Sequence, residues 1–248
     1  MRIAVIGAGV MGSGMAQVLA QAGNEVQCTD IAESVLEQAR ARVTTGRYGF
    51  ERAVERGKLS RADADAALAR LQFTTRFDDA VGTADLVLEA VPEKLDLKIR
   101  VFRDLDRVAP ARCILASNSS GFSLAALAAA TNRPAQVLIW HWASPPAVMK
   151  FAEIVVREET SKDAIETVKA LALACGKRPV VVQDNPMAWG YVANRIYAAM
   201  LHEANRVVGD GVASQAEVNQ LMVDCFGWPV GPFAMVEGAQ KGFSDGGQ

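Results

Sequence analysis

The chain has 248 residues, with 26 Lys and Arg against 28 Asp and Glu, a formal net charge of −2, and half of its residues apolar. This is an ordinary globular composition, long enough for one large domain and one small one, and it argues against a nucleic-acid or membrane-surface partner. Cys28, Cys113, Cys175 and Cys225 lie far apart and form no C-x-x-C pair, so neither a metal site nor a disulfide framework is expected.

In chain order, a strand at 2–6 leads directly into Gly7-Ala8-Gly9-Val10-Met11-Gly12. No long apolar leader precedes it and no apolar run approaches membrane-spanning length, so a cytoplasmic protein is expected. A helical pattern over 11–22 follows, then a strand over 25–29 that ends at Asp30. Strand, glycine turn, helix, strand and acid form a dinucleotide-binding unit. Gly7 permits the tight turn, Gly9 lets the backbone approach a pyrophosphate, and Gly12 lets the helix pack on the strand. Val10 and Met11 belong to the same cofactor-binding turn, and the helix N-terminus offers unpaired N–H groups and a positive dipole end to the phosphates. Asp30 accepts hydrogen bonds from a ribose with free hydroxyls and repels a 2′-phosphate. Ile31-Ala32-Glu33 supply no Arg to receive that phosphate. The reading is NAD rather than NADP; a flavin, or a nucleotide site without chemistry, is the alternative.

Strands at 72–75, 85–89, 113–117, 136–141, 150–156 and 178–182 alternate with helices at 31–56, 61–70, 94–108, 122–131 and 161–175. The alternation predicts a doubly wound, mostly parallel α/β sheet of the Rossmann type. The segment 31–70 is too long for one crossover helix. A turn at Gly57-Lys58-Leu59-Ser60, with Ser60 as N-cap, makes it a helical-hairpin insertion. Its first arm carries Arg40, Arg42, Arg47, Arg52, Arg56 and Lys58; most suit a solvated face, and a few could meet a phosphate-rich ligand. Asp184-Asn185-Pro186 breaks the last strand. The expected domains are therefore 1–186 and a small all-α domain at 187–248, with helices at 189–207 and 214–225. Gly242 to Gln248 read as a polar tail.

Three of these strand ends carry residues suited to chemistry, since open α/β sheets bind ligands at strand C-termini. His141 ends one strand. Glu153 stands in the apolar run Phe151-Ala152-Glu153-Ile154, where an ionised carboxylate is expensive unless paired. Neighbouring strands joined by the Pro145-Pro146 turn would bring the two together, and a carboxylate-oriented imidazole is a general base. A lone His in an apolar strand is otherwise a satisfied core residue; His202, beside Glu203, reads as an exposed helix residue. Ser117-Asn118-Ser119-Ser120-Gly121 follows another strand. Ser119, Ser120 or Ser123 could cap the next helix, or a serine hydroxyl could face a substrate oxygen. In Glu89-Ala90-Val91-Pro92-Glu93, Glu93 either caps the helix after it or touches a ribose or nicotinamide.

Taken together, these motifs resemble the 3-hydroxyacyl-CoA dehydrogenase family. The resemblance runs from Met1 to about Gly238. Ser117-Asn118-Ser119-Ser120 is similar to the family's Ser-Asn-Thr-Ser-Ser, and His141 through Glu153 to its His-Phe-Phe-Asn-Pro…Glu. Gly190-Tyr191-Val192-Ala193-Asn194-Arg195 is similar to its Gly-Phe-x-x-Asn-Arg, and Trp228 to Phe233 to its Pro-Met-Gly-Pro-Phe. The resemblance implies a homodimeric NAD-dependent enzyme acting on an acyl thioester, CoA above all. It implies His141 as general acid/base with Glu153 as partner, and Ser120 and Asn194 holding the substrate oxygen. Asp30 would bind the adenosine ribose, with Glu93, Lys98 and Ser144 on the nicotinamide side. His141-Trp142-Ala143-Ser144-Pro145 departs from the family pattern at the Phe that is Ala143 and the Asn that is Ser144. Asn185 to Trp189 lengthen the approach to Gly190, and the chain stops soon after Phe233. The departures keep open another β-hydroxy substrate: a carrier-bound thioester, carnitine or a sugar acid. A non-catalytic NAD-sensing module would require the His141–Glu153 pairing to be accidental.

Overall fold

Runs of Val, Ile, Leu and Ala build the centre of one sheet, because strands covered by helices on both faces must be apolar on both faces. The computed structural model describes the backbone of residues 1–244 and the side chains of residues 1–238. The elements are β1 (Arg2–Ile6), α1 (Val10–Gln21), β2 (Glu25–Thr29), α2 (Glu33–Thr44), α3 (Phe50–Glu55), α4 (Arg61–Ala69), β3 (Leu71–Thr74), α5 (Phe77–Val81), β4 (Leu86–Glu89) and α6 (Leu95–Val108). They continue as β5 (Ile114–Ser117), α7 (Leu124–Ala128), β6 (Val137–Trp142), β7 (Phe151–Val156), α8 (Lys162–Ala174), β8 (Arg178–Gln183), α9 (Val192–Gly209), α10 (Gln215–Phe226) and α11 (Pro232–Ser244). The eight strands run in the order β3-β2-β1-β4-β5-β6-β7-β8. All neighbours are parallel except β6 and β7. This is the doubly wound Rossmann-type sheet expected from the alternation. Its switch point lies between β1 and β4, where the order reverses and ligands bind.

β4, β5 and β6 are buried along their whole length, and Met15, Ala16 and Leu19 of α1 join them in a core that continues to Trp140 and Ile154. Cys28 and Cys113 are buried thiols that desolvation pushes up to about 12, so they behave as small apolar side chains. None of the described helices is long and apolar enough to cross a membrane.

The expected helix 31–56 is broken. Thr45 to Gly49 interrupt it between α2 and α3, and Gln17 of α1 donates to the Tyr48 carbonyl at 2.8 Å within the break. Ser60 does cap α4, accepting from the Asp63 N–H at 3.0 Å. The helix expected at 122–131 is only Leu124–Ala128, capped by Ser123. Among the described α-helices, α5 and α11 had no expectation. Gly242 to Ser244 belong to α11 rather than to a tail, and residues 245–248 lie outside the described residues.

The chain divides into two compact units, Met1–Trp189 and a second from Gly190 onward, three residues beyond the break expected at 186. In the second unit α9, α10 and α11 pack on one another. Ser214 and Glu217 form a reciprocal capping box that starts α10.

Candidate active site

The C-terminal ends of β1 and β4 open into a cleft of about 930 Å³. Gly7, with φ +95°, brings the first turn so near the second that a Cβ there would lie 2.7 Å from the Ala90 carbonyl oxygen. A Cβ at Gly9 would meet nothing within 4 Å, so this backbone faces open space in the cleft. Gly9 also caps α1 without a side-chain acceptor, and no acid stands in the first turn. The first N–H groups of a twelve-residue helix are therefore turned to the cleft, with Val10 and Met11 in its wall. Gly12 is packed against the Gly7 carbonyl and does not line the space.

Asp30 receives the Ala8 N–H on Oδ2 at 2.8 Å and the Ala32 N–H on Oδ1 at 3.4 Å while lining the cleft. The apolar Ile31, Val35 and Phe77 lie along the same wall and suit a purine ring. Glycine cradle, helix terminus, ribose-facing acid and apolar slot together fit a dinucleotide.

Arg42 was expected on a charged helix face. Instead it turns inward, donating to the Ala8 carbonyl at 2.9 Å and to Ser13 Oγ at 3.3 Å. It thereby ties the hairpin to the glycine turn, and no sequence signal announces this. Arg40 is also engaged, with Glu33 at 2.8 Å and the Phe73 carbonyl at 3.3 Å. Arg52 pairs with Glu55 in solvent, and Arg56 and Lys58 are exposed.

The far wall holds Glu93, Lys98, Asn118 and Ser120. Glu93 does not cap α6, which begins after Lys94 with no side-chain cap. Its Oε1 accepts from Ser119 Oγ at 2.6 Å and from the Ser120 N–H at 2.9 Å. Lys98 is more deeply placed than expected: its side chain is 1% exposed, with Nζ 2.7 Å from Glu89 and 3.2 Å from Glu93. It forms the buried base of that wall, and the more exposed Glu93 stands over it. Burial pushes the Glu89 carboxyl above the usual range, opposed by Lys98, Ser117 and the Val91 N–H. Asn118 also escaped assignment. Its Oδ1 accepts from the Trp142 N–H at 2.9 Å and so joins the end of β5 to the residue after His141. An amide at a strand C-terminus was the signal available for it.

His141 and Glu153 are direct partners in the antiparallel β6–β7 register. His141 Nδ1 lies 2.9 Å from Glu153 Oε2, both side chains are buried, and the Phe151 ring meets the imidazole edge-on. Ser144 sits in the loop after β6 and is not among the residues lining the dinucleotide cleft. Buried Lys177 holds this loop through the Pro146 carbonyl at 2.5 Å and the Met149 carbonyl at 2.7 Å. Asn194 stands in the first turn of α9, in the second unit.

A family model described as the NAD binding domain of 3-hydroxyacyl-CoA dehydrogenase matches residues 2–185, and the model of the C-terminal domain of that enzyme matches residues 190–242. The chain belongs to the 3-hydroxyacyl-CoA dehydrogenase family. A relative from Bacillus subtilis named "Probable 3-hydroxybutyryl-CoA dehydrogenase" is 35% identical to this family member over 95% of the chain and 80% of the relative. The crystal structure of (S)-3-hydroxybutyryl-CoA dehydrogenase PaaH1 from Ralstonia eutropha superposes with a TM-score of 0.87 at 33% identity, covering 98% of this chain and 85% of that one. That of FadB2 from M. tuberculosis gives 0.85 at 36% identity, covering 93% and 79%.

Proposed function

We propose that this dehydrogenase interconverts an (S)-3-hydroxyacyl-CoA and the corresponding 3-oxoacyl-CoA with NAD. The observation that carries the reading is the buried 2.9 Å contact between His141 Nδ1 and Glu153 Oε2. With Nδ1–H donated to Glu153, Nε2 is the basic nitrogen, and it takes the hydroxyl proton of the substrate. When bound, the nicotinamide supplies the hydride acceptor for the carbinol carbon and the hydride donor for the reverse direction. Ser120 and Asn194 donate to the substrate oxygen as charge develops on it. Asp30 takes the adenosine ribose. Glu93, backed by Lys98, serves the nicotinamide side; Ser144, outside the lining of the cleft, is assigned there by the family resemblance alone. The chain is proposed to act as a homodimer. Ile196, Val212, Leu221 and Phe226 of the helical unit are all exposed large apolar residues, which favours a partner surface. Light scattering at micromolar concentration is expected to give twice the chain mass; a monomer would contradict the assembly.

Reduction of acetoacetyl-CoA by NADH tests the substrate class. Charge reversal at Arg52, Arg56 and Lys58 is expected to raise KM for CoA thioesters and leave kcat nearly unchanged, the mark of lost uniform binding. Equal KM values for CoA and pantetheine thioesters in the unmodified enzyme would remove the hairpin from CoA recognition.

The cofactor follows from Asp30. NADP places a doubly charged phosphate against a carboxylate that already accepts two backbone N–H groups. NAD is expected to be preferred by about 10²-fold or more in kcat/KM, since like charges at such range disfavour each other by a few kcal/mol. Asp30→Ala is expected to weaken NADH binding and narrow the gap. Comparable efficiency with NADP in the unmodified enzyme would overturn the assignment.

A further inference from the structure

Beneath the cleft, the turns after β4 and β5 are joined by a closed ring of polar side chains. Glu89 ends β4 with its carboxylate 0% exposed. It accepts from Lys98 Nζ at 2.7 Å, from the Val91 N–H at 2.7 Å and from Ser117 Oγ at 2.5 Å. Lys98 passes the connection to Glu93 Oε2 at 3.2 Å, and Glu93 Oε1 holds Ser119 Oγ and the Ser120 N–H. Ser117 Oγ accepts from the Ser119 N–H at 3.1 Å, which closes the ring back to Glu89. Every member therefore has a partner within the ring.

Such a ring is a poor source of stability. A buried ion pair repays little more than its own desolvation, and an apolar pair of similar volume often does as well. What a satisfied polar ring does supply is one fixed geometry. Here the geometry spans two parts of the cleft. On one side, Ala90, next to Glu89, donates its N–H to the Ile6 carbonyl at 2.7 Å and packs on the Gly7 turn. On the other side, the ring grips the backbone at Ser119 and Ser120.

We infer that Glu89 is a positioning residue for the reaction: through Lys98 and Glu93 it fixes the Ser120 backbone relative to the cofactor turn, so that the Ser120 hydroxyl meets the substrate oxygen. The inference rests on the reading of Ser120 as a donor to that oxygen. Glu89 touches neither substrate nor cofactor, and its effect is on the turnover step.

A double-mutant cycle tests it. Glu89→Gln keeps the side-chain volume but puts an amide NH2 among three donors, so the ring loses its register. With acetoacetyl-CoA and saturating NADH, Glu89→Gln is expected to lower kcat by about 10-fold to 10²-fold with KM for the thioester little changed, as for an interaction made in the transition state. Ser120→Ala is expected to lower kcat by about 10²-fold in the unmodified enzyme and by no more than about tenfold in the Glu89→Gln background, the double variant being about as slow as Ser120→Ala alone, because groups acting as a unit are not additive. A purely structural Glu89 would give effects that multiply, or a Glu89→Gln enzyme within twofold of normal turnover, and either result overturns the inference. If Ser120→Ala alone has no effect, the assignment of Ser120 falls and the inference falls with it. If Ser120→Ala is damaging and the cycle multiplies, only the inference falls. Should Glu89→Gln fail to fold, Ser117→Ala removes one donor from the same carboxylate and carries the same cycle, with a smaller first loss and the same non-additivity.

Discussion

His141→Ala is expected to lower turnover of acetoacetyl-CoA at saturating NADH by at least about 10³-fold, with NADH binding intact. The magnitude follows from the role proposed for His141, as the group that moves the proton at the reacting oxygen. Losing only the orienting carboxylate of a Ser-His-Asp triad lowers turnover by about 10⁴-fold, and Glu153→Gln is expected to approach that range here. NADH binding survives because the dinucleotide cleft is built from the β1 and β4 turns and does not include His141. The direction of the pH dependence is a second reading of the same assignment. Oxidation needs a neutral ring to take the hydroxyl proton, so kcat/KM for a 3-hydroxyacyl substrate is expected to rise with pH. Reduction needs the imidazolium, so its profile is expected to fall as pH rises. Steady-state kinetics in both directions and fluorescence titration with NADH measure all three quantities. Near-normal turnover by His141→Ala would make His141 a core histidine and end this mechanism.

Gly12→Ala is expected to abolish measurable NADH binding, and Gly9→Ala is its informative contrast. A Cβ at Gly12 would collide with the Gly7 carbonyl oxygen, which is backbone and cannot rotate away. Relief requires α1 to move off β1, and overpacking that forces a backbone shift destabilises by about 1–3 kcal/mol, occasionally more. A fall in the thermal midpoint should accompany the loss of binding. At Gly9 a Cβ meets no protein atom within 4 Å, so the folded chain accepts it without strain. The added methyl then occupies space that the pyrophosphate needs. Gly9→Ala is expected to keep the thermal midpoint of the unmodified protein and to weaken NADH binding by about tenfold or more. A Gly9→Ala protein that binds NADH normally would show that the cofactor phosphates do not approach this turn.

Much of this fold and site was legible along the chain because it is written in short-range patterns. Each strand is a compact apolar run bounded by polar or turn residues, and all eight strands stand within a residue of their expected ends. The glycine turn and Asp30 belong to one β-α-β unit, so their spacing carries their geometry. The proximity of His141 to Glu153 was readable because one turn joins their strands. The antiparallel register that sets them opposite each other came from pairing in the sheet. Helix lengths were harder. The interruption at Thr45 to Gly49 is braced from outside the hairpin by Gln17 of α1, 31 residues away from Tyr48. A five-residue helix such as α5 is too short to show a period.

What only the tertiary structure decided is the company kept by charged residues. Arg42 belongs to a helix with five other basic residues nearby, yet it alone turns to the Ala8 carbonyl, 34 positions away. Glu89 looks like any acid at a strand end until Ser117, 28 positions on, and Lys98 close on its carboxylate. A charge can be buried only where donors from several elements converge on it. That convergence depends on the strand order β1-β4-β5, which no local period of the chain encodes.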